Sequence, residues 1–142
     1  MVAPSPPAVP AATLQLARGS YERCSAVPDF YACFYRNLFR AAPDVEPLFT
    51  RTDFERQHQL MKHALGLLLA FPAQPDDGAV LLTRVADRHS RRDLDIRPAQ
   101  YPSFVHALVQ TVAEHDPAFT AEVGDAWRAA IAPGIAFMQG RY

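Results

Sequence analysis

The sequence predicts an all-α domain. Three observations carry that prediction: apolar residues recur at three- and four-residue spacings in segment after segment, prolines and Asx residues punctuate those segments, and no stretch alternates apolar and polar residues as a half-buried strand would. Six or seven helical segments result, without an internal repeat, and 142 residues suffice for one domain that buries roughly 70% of its unfolded surface.

Residues 1–11 carry Pro4, Pro6, Pro7 and Pro10, which fix φ, remove backbone donors and leave no apolar periodicity to bury. They read as a disordered proline-rich arm, with the folded domain over residues 12–142. Leu14, Ala17, Tyr21 and Cys24 mark the inward face of a first helix over residues 13–26. Val27, Pro28 and Asp29 break it and suit the first turn of the next. There Phe30, Tyr31, Phe34, Tyr35, Leu38 and Phe39 form a wide aromatic stripe that needs a large partner. Pro43 ends this helix, and the turn at Pro47, Leu48 and Phe49 directs Phe49 inward.

A third helix spans residues 53–71, capped by Asp53, with Phe54, Met61, Leu65, Leu68 and Leu69 facing in. Gln57 shares that face, and a buried amide must find a partner. The PAQPDDG stretch reads as a loop. A helix over residues 78–92 follows, with Leu81, Leu82, Val85 and His89 on one side. The charged connector RRDLDIRP leads to Pro98, after which Tyr101, Phe104, Val105, Leu108, Val109 and Val112 give another helical face. Asp116 and Pro117 close it. The last helix, over residues 120–139, turns Val123, Trp127, Ile131, Ile135 and Met138 inward, although Pro133 and Gly134 are expected to interrupt and kink it.

Composition narrows the function. Hydrophobic residues make up 49% and charged residues 20%, with 14 basic against 15 acidic side chains, so no field favours nucleic acid or an anionic membrane. No apolar run is long enough to span a bilayer, and residues 1–12 lack the pattern of a secretory signal. Cys24 and Cys33 form no CxxC pair and read as packing residues. A cytoplasmic setting is expected.

Five histidines invite a metal reading, but His58 and His63 point roughly 140° apart on a helix and read as surface residues. Neither the metalloprotease pattern nor a zinc-type Cys/His cluster occurs. No GxSxG turn, Gly-rich phosphate loop or isolated carboxylate pair supports hydrolysis or phosphoryl chemistry. What remains is one face carrying Tyr35, Gln57 and Met61, an opposite face carrying His89, and Phe49 between them. That arrangement suits a flat cofactor: a planar haem would fill the space, and one neutral imidazole can hold its iron while leaving the opposite position open to a gas.

The segments FYRNLF, PDVEPLF, DFERQHQLM and RVADRH, followed by a final helix bearing Trp127, resemble the globin family. The likeness is to bacterial single-domain globins and the globin part of flavohaemoglobins, and covers roughly Ser20 to Met138. It implies globin-like packing of six to eight helices around haem b, with residues 12–142 as a globin domain. By this resemblance His89 is the proximal iron ligand, Tyr35 and Gln57 are distal donors, Met61 is an apolar gate and Phe49 packs on the porphyrin. Val85, Ile96, Tyr101 and Phe104 complete the residues expected around the cofactor, Tyr101 as a proximal partner.

The chain departs from the family pattern in three places. The interval from Phe49 to Gln57 is short, so a shift of one residue exchanges Gln57 for His58, which would then become a sixth iron ligand. The connector from His89 to Tyr101 is longer. Where flavohaemoglobin-like members place a glutamate near the end of the last helix, alignment from Trp127 puts Tyr142. The implied function is binding of dioxygen and other diatomic gases such as nitric oxide and carbon monoxide. Two distal donors favour slow release, which suits nitric oxide dioxygenation with an external reductase better than delivery. A haem-based gas sensor acting through a partner and a cofactor-free helical interaction domain are the alternatives.

Overall fold

In the computed structural model, which describes residues 8–142, six α-helices follow one another, with no strand among the described residues. They are α1 (Ala11–Ser25), α2 (Phe30–Ala41), α3 (Phe54–Ala70), α4 (Pro75–His89), α5 (Tyr101–His115) and α6 (Ala121–Gly140). Short 3-10 turns occur at Glu46–Phe49 and Pro98–Gln100. The arm expected over residues 1–11 falls mostly on residues 1–7, which lie outside the described residues, and Ala11 already belongs to α1.

Local chemistry explains the boundaries. Asp53 accepts hydrogen bonds from the backbone of Glu55 and Arg56 at the start of α3, and Thr120 accepts from Val123 at the start of α6, satisfying amides that an unflanked helix leaves open. Pro75 occupies the first turn of α4, where its missing donor costs nothing. The expected loop over PAQPDDG is therefore shorter than its composition suggests.

The longest pairings are α2 against α5 and α1 against α6. Between them lies the core: Phe30, Phe34, Leu65, Leu82, Leu108, Val112, Trp127 and Ile131 are all buried. Trp127 is fully enclosed, with the Tyr21 ring edge-to-face against it at 5.8 Å. Two polar clamps tie distant segments. Asp116 accepts from Ser20 Oγ (2.6 Å) and from Arg23 Nε (2.6 Å) and its terminal guanidinium nitrogen (3.0 Å). Asn37 donates to Thr111 (2.9 Å) and Glu114 (3.0 Å), joining α2 to α5.

α4 rests mainly on α3 and α6, whereas α2 and α5 pack chiefly on each other. Three expectations need correction. Phe54 does not face the core: it is 36% exposed, because it opens the first turn of α3, and the buried line of that helix begins at Met61. Leu81 does not face inward: it is 55% exposed, because the buried line of α4 runs through Gly78, Leu82 and Ala86. Pro133 does not interrupt α6, which continues through it to Gly140. The inward positions Val123, Trp127, Ile131, Ile135 and Met138 are all buried as expected.

Candidate functional site

Tyr35 sits in the second turn of α2, buried at 4% exposure, with its ring against Phe49 (5.5 Å), Phe39 (6.0 Å) and Phe54 (5.7 Å). Gln57, one turn into α3, donates from Nε2 to the Tyr35 hydroxyl at 2.9 Å. The amide set in an apolar stripe has thus found its partner. Burial, opposed by that donated hydrogen bond, holds the Tyr35 phenol up at about 12, so it remains a protonated donor. Its oxygen accepts from Gln57, and its own proton makes no other hydrogen bond among the described residues.

Gln57 and His58 make different contacts with the α2 stripe. Gln57 reaches the phenol, while the His58 ring runs near-parallel to those of Tyr35 (5.8 Å, 17° between planes) and Tyr31 (6.2 Å, 28°). His58 is therefore half-buried rather than a surface residue, because Tyr31 and Tyr35 lie one turn apart and flank it. His63 is exposed as expected. Met61, one turn beyond Gln57, is buried.

His89 ends α4. Its Nδ1 lies 2.6 Å from the Val85 carbonyl oxygen. A carbonyl only accepts, so Nδ1 carries the proton and Nε2 holds a lone pair. Burial is the main cause that pushes the imidazole below its ordinary value, outweighing the hydrogen bond to Val85. Nε2 makes no hydrogen bond among the described residues. Ile96 folds back on this residue, its backbone N–H donating to the His89 carbonyl at 2.8 Å. Phe104 meets Phe34 edge-to-face at 5.4 Å, and Tyr101 is buried with its phenol raised to about 12 by desolvation. Phe49, Val85, Ile96 and Phe104 are each only half-buried, packed against the core yet keeping an open side.

The family model for Globin matches residues 32–137, taking in both α2 and the His89 helix. The chain belongs to the globin family. A flavohemoprotein of Rhizobium meliloti (strain 1021) is 30% identical over 97 residues, a match that takes in 66% of this chain and 24% of the rhizobial protein. The globin thus spans about a quarter of that relative's length. A crystal structure from Pseudomonas aeruginosa PAO1, described as structurally highly homologous to a human hemoglobin, superposes with a TM-score of 0.86 at 34% identity. It covers 92% of this globin and 98% of that chain.

Sequence reasoning missed how the globin holds its His89 connector. Tyr142, which stands where a glutamate was sought, donates its hydroxyl to Asp95, while its carbonyl oxygen accepts from the backbone and Nε of Arg91 at 3.2 Å each. Arg91 also lies 4.8 Å from the centre of the Tyr142 ring. Gln139 donates to the Pro98 carbonyl at 3.1 Å, and Arg141 reaches Asp87 on α4 at 3.1 Å. Asp95 takes a positive φ of 55°, which Asp tolerates better than most residues. The charge-rich composition of RRDLDIRP was the available signal, since each of its anchors needs an ionised or hydrogen-bonding partner. No helix among the described residues is long and apolar enough to cross a membrane.

Proposed function

We propose that this globin binds haem b through His89 and holds dioxygen beside Tyr35 and Gln57. The observation that carries the reading is the His89–Val85 hydrogen bond, which fixes the tautomer whose Nε2 lone pair a metal requires. The residues present fit the group: half-buried Phe49, Val85, Ile96 and Phe104 offer apolar surface for a porphyrin to cover, and Met61 and Tyr101 are buried. When bound, haem supplies an iron with one open position for a diatomic gas.

The protein's own part is then electrostatic and steric. The Tyr35 O–H, aligned by Gln57, offers a donor to the partial negative charge that dioxygen acquires, and Met61 limits the space beside it. The low-dielectric aromatic surroundings strengthen that bond. Slow release favours nitric oxide dioxygenation, which converts nitric oxide and dioxygen to nitrate with an electron from an external reductase. The flavohemoprotein likeness supports this over simple carriage, since the name joins flavin to haem and the match takes in only 24% of that protein.

Haemin titration tests the reading. A Soret band should develop to one equivalent and shift on reduction and with carbon monoxide. A folded protein that stays colourless overturns it in favour of a cofactor-free interaction domain. Nitric oxide consumption in the presence of a reductant then separates turnover from sensing.

A further inference from the structure

Val80 and Leu81 are the most exposed large apolar side chains among the described residues, at 73% and 55%, and they are neighbours on α4. Gly78, Leu82 and Ala86 form the buried line of that helix, so the pair stands on its outward side. Asp77 precedes the pair by three and four positions and Arg84 follows it by four and three, both exposed, which places all four side chains on one outward stripe. Its order is acid, apolar pair, base. The ion pairs of α4 engage other residues, Arg88 with Asp93 and Asp87 with Arg141, while Asp77 and Arg84 take no ion-pair partner among the described residues. Seven positions, about 10 Å along the axis, keep them from meeting each other. Binding at His89 gives this stripe no role, since His89 follows Leu82 by seven positions and shares the buried side.

We propose that two copies of this globin pair through α4, antiparallel about a two-fold axis passing between Val80 and Leu81. The stripe is its own complement. Turned end for end, it sets Val80 on the partner subunit's Leu81 and Asp77 opposite the partner subunit's Arg84, and symmetry repeats each contact, so two ion pairs flank one apolar centre. A parallel pairing would instead oppose Asp77 to Asp77 and Arg84 to Arg84. Antiparallel helices also oppose their dipoles, with the acidic first turn of each against the basic half of the other.

Area sets the strength. A helix of 15 residues is about 22 Å long, and one face of it about 10 Å wide, well short of the roughly 800 Å² per partner of a stable complex. The dimer is therefore weak and forms as concentration rises. In so small a contact the exposed charges fix orientation, and salt loosens them.

Sedimentation equilibrium of the full chain, from micromolar to millimolar protein, tests the pairing. Wild type should show a monomer–dimer equilibrium that shifts toward monomer as ionic strength is raised. Asp77→Arg and, separately, Arg84→Asp each turn two attractive pairs into two repulsive ones and should raise the dissociation constant about tenfold. The double variant carrying both reverses the stripe without breaking its symmetry, so its dissociation constant should return to within about threefold of wild type. Leu81→Glu, at the apolar centre, should leave only monomer. Far-UV circular dichroism verifies that each variant is folded, and the exposed positions chosen leave the core untouched. A wild type that stays monomeric throughout overturns the proposal, as does a dimer that neither reversal weakens. Losses in both single variants that the double variant does not recover overturn the antiparallel register and the proposal with it. Failure to take up haem would sink the haem-binding reading and leave this pairing standing.

Discussion

Gln57 Nε2 donates to the Tyr35 hydroxyl across 2.9 Å, so the amide and the phenol act as one unit rather than two parallel donors. The phenol oxygen spends a lone pair on the amide and keeps its proton free. This ordering predicts unequal effects of removing them. Tyr35→Phe deletes the donor and should speed dioxygen release by about tenfold to a hundredfold, the equivalent of one hydrogen bond to a charged group. Gln57→Leu leaves the donor but frees its rotor, and should speed release by a smaller factor. Stopped-flow displacement of dioxygen by carbon monoxide measures both. Equal effects would place both donors directly on the ligand.

On the opposite side the prediction concerns one atom. His89→Gly removes the Nε2 lone pair and opens a space the size of an imidazole beneath Val85. The variant should lose the five-coordinate ferrous spectrum and regain it when imidazole is added. Restoration by imidazole but not by a bulky N-substituted analogue would tie the effect to this position, and a wild-type spectrum without imidazole would remove His89 from the ligand role.

Asp116 supplies a pH-dependent stability. Its hydrogen bonds from Arg23, first, and then from Ser20 and the Ala118 amide hold the carboxyl down at about 2, against the cost of desolvation. Because the folded value is depressed, the stabilisation is fully present above the unfolded value near 3.8 and is lost as pH falls through about 2. Asp116→Asn should destabilise at neutral pH by about 1.5–3 kcal/mol, the range for hydrogen bonds to a charged group. Urea unfolding at pH 7 and pH 2 checks it: the difference between wild type and variant should shrink at the lower pH.

Close approach of α3 to α6 depends on Gly134. A Cβ there would stand 2.7 Å from Leu68 Cδ2 and 3.4 Å from Leu82 Cδ1. Leu68 can give at its far end, but a branched side chain would also press on the helix behind it. Gly134→Val should therefore cost about 1–3 kcal/mol through overpacking, with Gly134→Ala costing less. Thermal unfolding of the two variants provides the comparison.

These sites differ in how plainly the sequence displays them. The α2 stripe was legible because its period is local, and Gln57 stood out because a polar group on an apolar face demands a partner. Leu81 misled because α4 begins at Pro75, and the close-packing line through Gly78 and Ala86 carries too little hydrophobicity to register. The Ser20–Arg23–Asp116 clamp was invisible, since its members lie more than 90 positions apart and each looks like an ordinary surface polar residue. His58 fell between the two cases. Its ring stacks on Tyr31 and Tyr35, a packing role that spacing along α3 alone does not reveal.

The connector after His89 gives the last prediction. Tyr142 holds it through Asp95 and Arg91, and Asp95 keeps a left-handed φ that few side chains accept unaided. Tyr142→Phe keeps the ring against Arg91 but removes the hydroxyl, so the loss is confined to the bond with Asp95. Amide exchange should rise at residues 91–96, where Ile96 N–H is bonded to the His89 carbonyl, while the interior of α5 and α6 keeps its protection. If Asp95 needs that bond to hold its backbone, Asp95→Gly in the Tyr142→Phe background should restore protection, because glycine adopts φ near +55° without strain. Exchange measured by mass spectrometry on peptides covering residues 88–100 reads this directly. Unchanged exchange in Tyr142→Phe would assign the connector's order to Arg91 and to the Gln139 bond at Pro98 instead.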